Sequence, residues 1–113
     1  MSTITYQDFQ KVDIRVGRVV KVEDFPEAKN PSYKLTIDFG PEVGVKVSSG
    51  QFVGAHPIKE KLVGKFVLGV VNFPPKQIGP FISETLTLGV QDMNGNWVVV
   101  GPDKEVPLGG RLG

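Results

Sequence analysis

The run Asn72-Phe73-Pro74-Pro75-Lys76-Gln77-Ile78-Gly79-Pro80-Phe81-Ile82-Ser83 gathers two phenylalanines, three prolines and one lysine, and the chemistry it suits is contact rather than bond-making. Aromatic rings stack on bases or pack against apolar side chains, and the lysine places a cation beside them. Proline fixes φ and removes an amide donor, so the segment is expected to interrupt a sheet; ordering it costs less chain entropy than a glycine-serine loop would. Such a loop presents Phe73, Pro74, Pro75, Ile78, Pro80 and Phe81 as a surface for extended apolar peptide. The bland alternative is a connector whose Phe73 and Phe81 only cap the core.

Groups suited to catalysis are sparse. The chain has no cysteine and a single histidine, so it offers no thiolate nucleophile, no disulfide, no thiolate zinc site and no histidine metal cluster. His56 precedes Pro57 and reads as a surface residue at a helix entry. Asp13, Asp38 and Asp92 fall in strand or turn contexts typical of solvated surface, and Ser48-Ser49 lacks a glycine-flanked nucleophile elbow. No Walker-type glycine-lysine loop is present, so binding is expected to need no nucleotide. The expectation is a non-enzyme with no catalytic residue, no metal and no cofactor.

Thirteen Lys and Arg against twelve Asp and Glu leave a net charge of +1, far from the basic footprint of a general nucleic-acid binder. The distribution is uneven: residues 31–80 carry six basic and three acidic groups, while residues 81–113 carry two and four. Lys34, Lys46, Lys59, Lys61, Lys65 and Lys76 supply the basic middle, so any contact with nucleic acid must be local. No apolar run approaches the roughly 20 residues that span a bilayer, and Met1-Ser2-Thr3-Ile4-Thr5 lacks the regions of a signal peptide. A soluble, cytoplasmic protein is expected.

These side chains must be positioned by strands. Thr5 and Asp8 resemble a helix cap, which makes Tyr6 to Gln10 a short helix. Val12, Ile14, Val16, Val20 and Val22 then share one parity, as in a long half-buried strand, and Gly17 marks a bulge or bend in it. Tyr33, Leu35, Ile37 and Phe39 alternate with polar residues in a second strand; after a turn at Gly40–Gly44, Val45, Val47 and Ser49 form its hairpin partner. Pro57 to Leu62 is a short helical turn, and Phe66 to Val71 an apolar run typical of a strand buried on both faces. Thr85 to Val90 gives a fifth strand, Asn94-Gly95 a hairpin turn and Trp97 to Val100 a sixth, shorter strand. Tyr33 and Phe39 belong to the core, Trp97 to a sheet edge or subunit contact, and Arg15 pairs with a neighbouring acid.

Five principal strands, with a helix between the third and fourth, match the plan of an all-β, five-stranded oligonucleotide/oligosaccharide-binding barrel, the OB-fold, with short helices and N- and C-terminal extensions. One domain fills residues 1–113. Its core covers about residues 8–91, with residues 1–11 and 92–113 as edge-covering or dimer-forming extensions.

Three motifs occur in order: Lys11-Val12-Asp13-Ile14-Arg15-Val16-Gly17, Val47-Ser48-Ser49-Gly50, and Asn72 through Ser83-Glu84. Together they resemble the tRNA-binding domain family, found appended to some methionyl- and phenylalanyl-tRNA synthetases and in free-standing proteins. The aromatic loop is similar to that of the family's export-related chaperone branch. The resemblance implies a homodimer that binds unfolded or precursor polypeptides and tRNA, with the protein-export machinery as a further partner. By the family pattern Ser49 and Ser83 lie near the RNA-facing surface, Lys46 and Lys76 supply phosphate contacts, and Arg15 is a further candidate. RNA-binding relatives carry a lysine and an arginine where this chain has Gln77 and Gly79. That difference implies weaker, salt-sensitive tRNA binding and a more apolar loop.

Overall fold

In the computed structural model, which describes residues 1–113, the chain opens with a reciprocal cap. The Asp8 amide donates to Thr5 Oγ1 and the Thr5 amide to Asp8 Oδ2, each at 3.1 Å, which starts helix α1 (Tyr6–Gln10) as the sequence predicts. Strand β1 (Ile14–Asp24) follows, then β2 (Tyr33–Asp38), a one-turn helix α2 (Gly40–Val43), β3 (Val45–Gly50) and a 3-10 turn at Lys59–Leu62. Strands β4 (Phe66–Val70), β5 (Lys76–Ile78), β6 (Phe81–Ser83), β7 (Leu86–Thr87), β8 (Gly89–Gln91) and β9 (Trp97–Val99) complete the chain.

The main sheet has the order β3-β2-β1-β4-β7, and β5-β6 and β8-β9 form separate hairpins. It curls until its two end strands face one another, giving the nearly closed five-stranded barrel expected from the sequence. Its core holds Val19, Leu35, Ile37, Phe39, Leu62 and Val67, none more than 1% exposed. Tyr33 joins them, with its hydroxyl donating to the His56 carbonyl at 2.7 Å.

Two local expectations are corrected. The bulge in β1 falls at Val20, not Gly17: Val19 pairs with Ile37 and Lys21 with Thr36, so one residue of β1 has no partner on β2. The extra residue flips the parity, which buries Val19 and leaves Val20 45% exposed. Gly17 serves close packing instead, since a Cβ there would run into Ile37 Cγ2 and lie 2.9 Å from Phe39 Cδ1. Nor does the proline-rich run interrupt strand structure throughout. Lys76–Ile78 pairs with Phe81–Ser83 around a two-residue turn, where Gly79 takes φ +57° and Pro80 supplies the negative φ that a II′ hairpin turn needs next.

The C-terminal tail lies along β1. Val16 donates to the Gly110 carbonyl at 2.9 Å, and the Gly109 and Leu112 amides donate to Val16 and Ile14 at 2.8 Å. It thus occupies the edge of β1 that β2, pairing only from Arg18 onward, leaves open. No helix is long and apolar enough to cross a membrane.

Candidate functional site

Asn72 fixes where the aromatic run leaves the barrel. Its Oδ1 accepts from the Asp13 amide at 3.0 Å and its Nδ2 donates to the Lys11 carbonyl at 2.7 Å, holding the end of β4 to the start of β1. From this anchor Phe73 and Pro74 run out along one side of a groove of about 930 Å³. The β5–β6 hairpin contributes Lys76, Gln77 and Ile78 to the same groove, the loop before β2 contributes Ala28, Lys29, Asn30 and Ser32, and Phe52 and Trp97 also line it.

The floor is polar and largely self-satisfied. Thr87 Oγ1 donates to Ser48 Oγ at 3.0 Å, Ser83 Oγ donates to the Thr85 carbonyl at 3.1 Å, and the Ser49 amide donates to Ser83 Oγ at 3.2 Å. Thr85 Oγ1 is buried with no partner. Ser49, Ser83, Thr85 and Thr87 therefore lie along the groove beside its aromatic and aliphatic side chains, with Ser48 buried behind them. An extended chain lying here would meet apolar surface at its side chains, while the internally paired hydroxyls keep the base of the groove rigid.

Of the predicted residues, Phe73, Pro74, Lys76, Ile78, Ser49 and Ser83 meet in this groove. Phe73 is 51% exposed, open to a ligand. Pro75, Pro80 and Phe81 do not line it. Phe81 packs edge-on against Phe25 with ring centroids 5.4 Å apart, and Lys34 Nζ sits over both rings at 5.0 and 5.6 Å. Lys46, on β3, pairs with Ile37 of β2 and lies outside the groove.

Arg15 is also elsewhere, and its guanidinium is engaged. Nε lies 2.6 Å from Asp13 Oδ1, one terminal nitrogen donates to the Gly109 carbonyl at 3.0 Å, and Glu42 is 3.6 Å away. The hydrogen bond to Asp13 raises its pKa further, so the group stays charged and occupied within the fold.

Sequence reasoning missed Phe52, Lys29 and the groove position of Trp97. Phe52 stands alone between Gly50 and Gly54, and the signal that could have found it was Gly50, where a Cβ would run into the Phe52 ring. His56 is half-buried, not on the open surface: its Nε2 accepts from the Val99 amide at 3.2 Å. Burial, and then the charge of Lys65, lower its pKa from the ordinary value. No group of three or more His, Cys, Asp or Glu side chains is arranged to hold a metal ion.

The tRNA binding domain family model matches residues 14–111, from the first residue of β1 into the C-terminal tail. The chain belongs to this family. Among solved structures it is similar to the chaperone CsaA from Bacillus anthracis (39% identity, TM-score 0.91, covering 99% of this chain and 100% of that one). It is also similar to CsaA from Picrophilus torridus (47% identity, TM-score 0.89, covering 98% and 100%). Among curated proteins, the methionine–tRNA ligase of Pyrococcus horikoshii is 33% identical over 112 residues, 99% of this chain. The chain spans only 15% of that ligase's length. These matches place it with CsaA-type members of the family.

Proposed function

We propose that this chain is a non-catalytic chaperone that holds extended apolar segments of unfolded or export-bound polypeptides in the groove, and that it also binds tRNA. The observation that carries the reading is the convergence of Phe73, Ile78 and Trp97 in one groove, backed by the buried ring of Phe52. Similarity over whole chains to two CsaA chaperones supports it, because the ligases share only a small part of their length with this chain. Suppression of aggregation of a model unfolded protein tests it, comparing wild type with the double variant Phe73→Ala, Trp97→Ala. Protection should fall sharply in the variant; equal protection by both proteins overturns the groove assignment.

The tRNA reading is favoured by Lys29 and Lys76 at the groove margin and by Ser49 and Ser83 on its floor. Structured RNA is recognised largely through shape, phosphates and 2′-hydroxyls, which lysines and serines contact without reading bases. With few cations available, binding is weak and steeply salt-dependent. Titration with tRNA at two salt concentrations tests this, and no binding at low salt removes it.

The assembly we propose is a homodimer formed through residues 1–11 and 92–113. Ile4 and Tyr6 are 71% and 65% exposed, and Tyr6, Phe9, Val12 and Leu112 line a second cleft of about 190 Å³ beside the tail. Such apolar surface suits a subunit contact. Solution mass decides, and a monomer across micromolar concentrations rejects it.

A further inference from the structure

The β8–β9 hairpin, which carries Trp97 into the groove, forms no strand ladder with the main sheet. Beyond its base, Val99 packs against the core, and the hairpin rests on the segment from Gly50 to His56 at three points. Phe52 packs against Gly89, the Asn96 side chain fills the space over Gly54, and the Val99 amide donates to His56 Nε2 at 3.2 Å. Two of these contacts are steric and indifferent to pH. The third depends on a lone pair.

An amide N–H can donate to imidazole only where the ring nitrogen is unprotonated, so this contact requires neutral His56 with its proton on Nδ1. Protonating Nε2 sets two donors against each other and leaves the Val99 amide unpaired. The surroundings offer the cation no compensation. From β2, the Tyr33 hydroxyl meets only the His56 carbonyl; from the turn before β4, Lys65 adds a like charge; Trp97, Val98 and Val99 of β9 are uncharged. The Phe52 ring lies 6.3 Å away, edge to face.

We infer that His56 is a positioning residue for the groove: neutral, it seats the β8–β9 hairpin, and on protonation it releases the hairpin and Trp97 from the groove wall. Burial and Lys65 both disfavour the imidazolium, so release falls below the ordinary histidine value of 6.5. Only the consequence for ligands, weaker holding of polypeptide in acid, rests on the chaperone reading.

The chain contains one tryptophan and one histidine, so Trp97 emission and the His56 ring protons report both groups without labels. In wild type, Trp97 emission is expected to shift with the same midpoint, below 6.5, as the His56 ring titration followed by NMR. The protection of the Val99 amide, meaning its exchange rate divided into the intrinsic rate at the same pH, should fall about fivefold to tenfold as the pH drops through that midpoint, the ratio one net hydrogen bond represents. His56→Gln places an acceptor where Nε2 stands and does not titrate, so it should keep the neutral-pH emission and lose the pH response. Lys65→Gln should move the midpoint upward. Emission and Val99 protection that stay constant while the wild-type ring titrates, or an unchanged pH response in His56→Gln, overturn the inference. No ligand enters these measurements, so their failure is separate from failure of the chaperone reading.

Discussion

Glu84 takes the place of a strand beside Val47. Its amide donates to the Val47 carbonyl at 2.8 Å and its side-chain Oε1 accepts from the Val47 amide at 3.0 Å, so one residue satisfies both backbone groups of a strand edge. Two positions along β3, the Ser49 amide is met by Ser83 Oγ at 3.2 Å. The barrel thus closes between β3 and the 83–87 segment with side chains where a regular barrel would use a ladder. The closure leaves the hydroxyl floor of the groove beside it.

Removing that acceptor should open the seam. Glu84→Ala leaves the Val47 amide unpaired and is expected to cost about 1–3 kcal/mol, read by chemical denaturation. Glu84→Gln retains an oxygen at the same reach and should recover most of the loss. Equal destabilisation by both variants would show that the carboxylate charge, and not its acceptor oxygen, matters.

Gly17 gives a second stability test. An added methyl group would meet Ile37 and Phe39, both fully buried side chains that have little room to retreat. Gly17→Ala is expected to destabilise by about 1–3 kcal/mol through overpacking. The thermal midpoint should fall, while substitution of exposed Val20 by Thr should leave it nearly unchanged.

Periodicity revealed the barrel because its strands are half-buried and alternate: Tyr33, Leu35 and Ile37 all lie inside as their spacing requires. It misplaced the β1 bulge because Val19 and Val20 are chemically identical, and only the register with β2 decides which turns inward. Phe73 and Ile78 were recognisable as groove residues because they stand among prolines and a lysine in a run too stiff and too broken by proline to read as core strand. Phe52 and Trp97 were not, since they reach the groove from 21 and 24 residues away through tertiary packing that no local pattern encodes.

Phe73 and Phe81 should separate in their effects, although the sequence presents them alike. Phe73 is exposed in the groove, so Phe73→Ala should reduce polypeptide holding while the thermal midpoint stays within about 0.5 kcal/mol equivalent of wild type. Phe81 anchors the hairpin on Phe25, and Phe81→Ala should destabilise as well as weaken holding. Parallel losses of stability in both variants would show that Phe73 is a packing residue.

Lysines 29 and 76 should set the salt dependence of tRNA binding. Each phosphate contact removed lowers the slope of log affinity against log salt by about 0.7–0.9. The double variant Lys29→Gln, Lys76→Gln should therefore lose between one and two units of slope, estimated as roughly twice that single-contact value. Arg15→Gln should leave the slope intact, because Asp13 and Glu42 already hold its charge. A slope that responds to Arg15 and not to the lysines would move the RNA surface away from the groove.

Tyr33 sets an alkaline limit on stability. Burial first, and then the negative charge of Asp24, raise its pKa above the ordinary tyrosine value of 10.0. The fold prefers the neutral phenol, so the unfolded chain loses the proton more readily. The stabilisation is therefore complete below the unfolded value and is lost as pH rises through the folded one. Tyr33→Phe forfeits the 2.7 Å hydrogen bond to the His56 carbonyl and should be less stable than wild type by about 1 kcal/mol near neutrality. Its phenyl ring cannot ionise, however, so above pH 10 the wild-type curve should descend toward it. Denaturant titrations from neutral pH into this range, compared between the two proteins, measure the convergence. Parallel curves throughout would show that ionisation of Tyr33 contributes nothing to the alkaline transition.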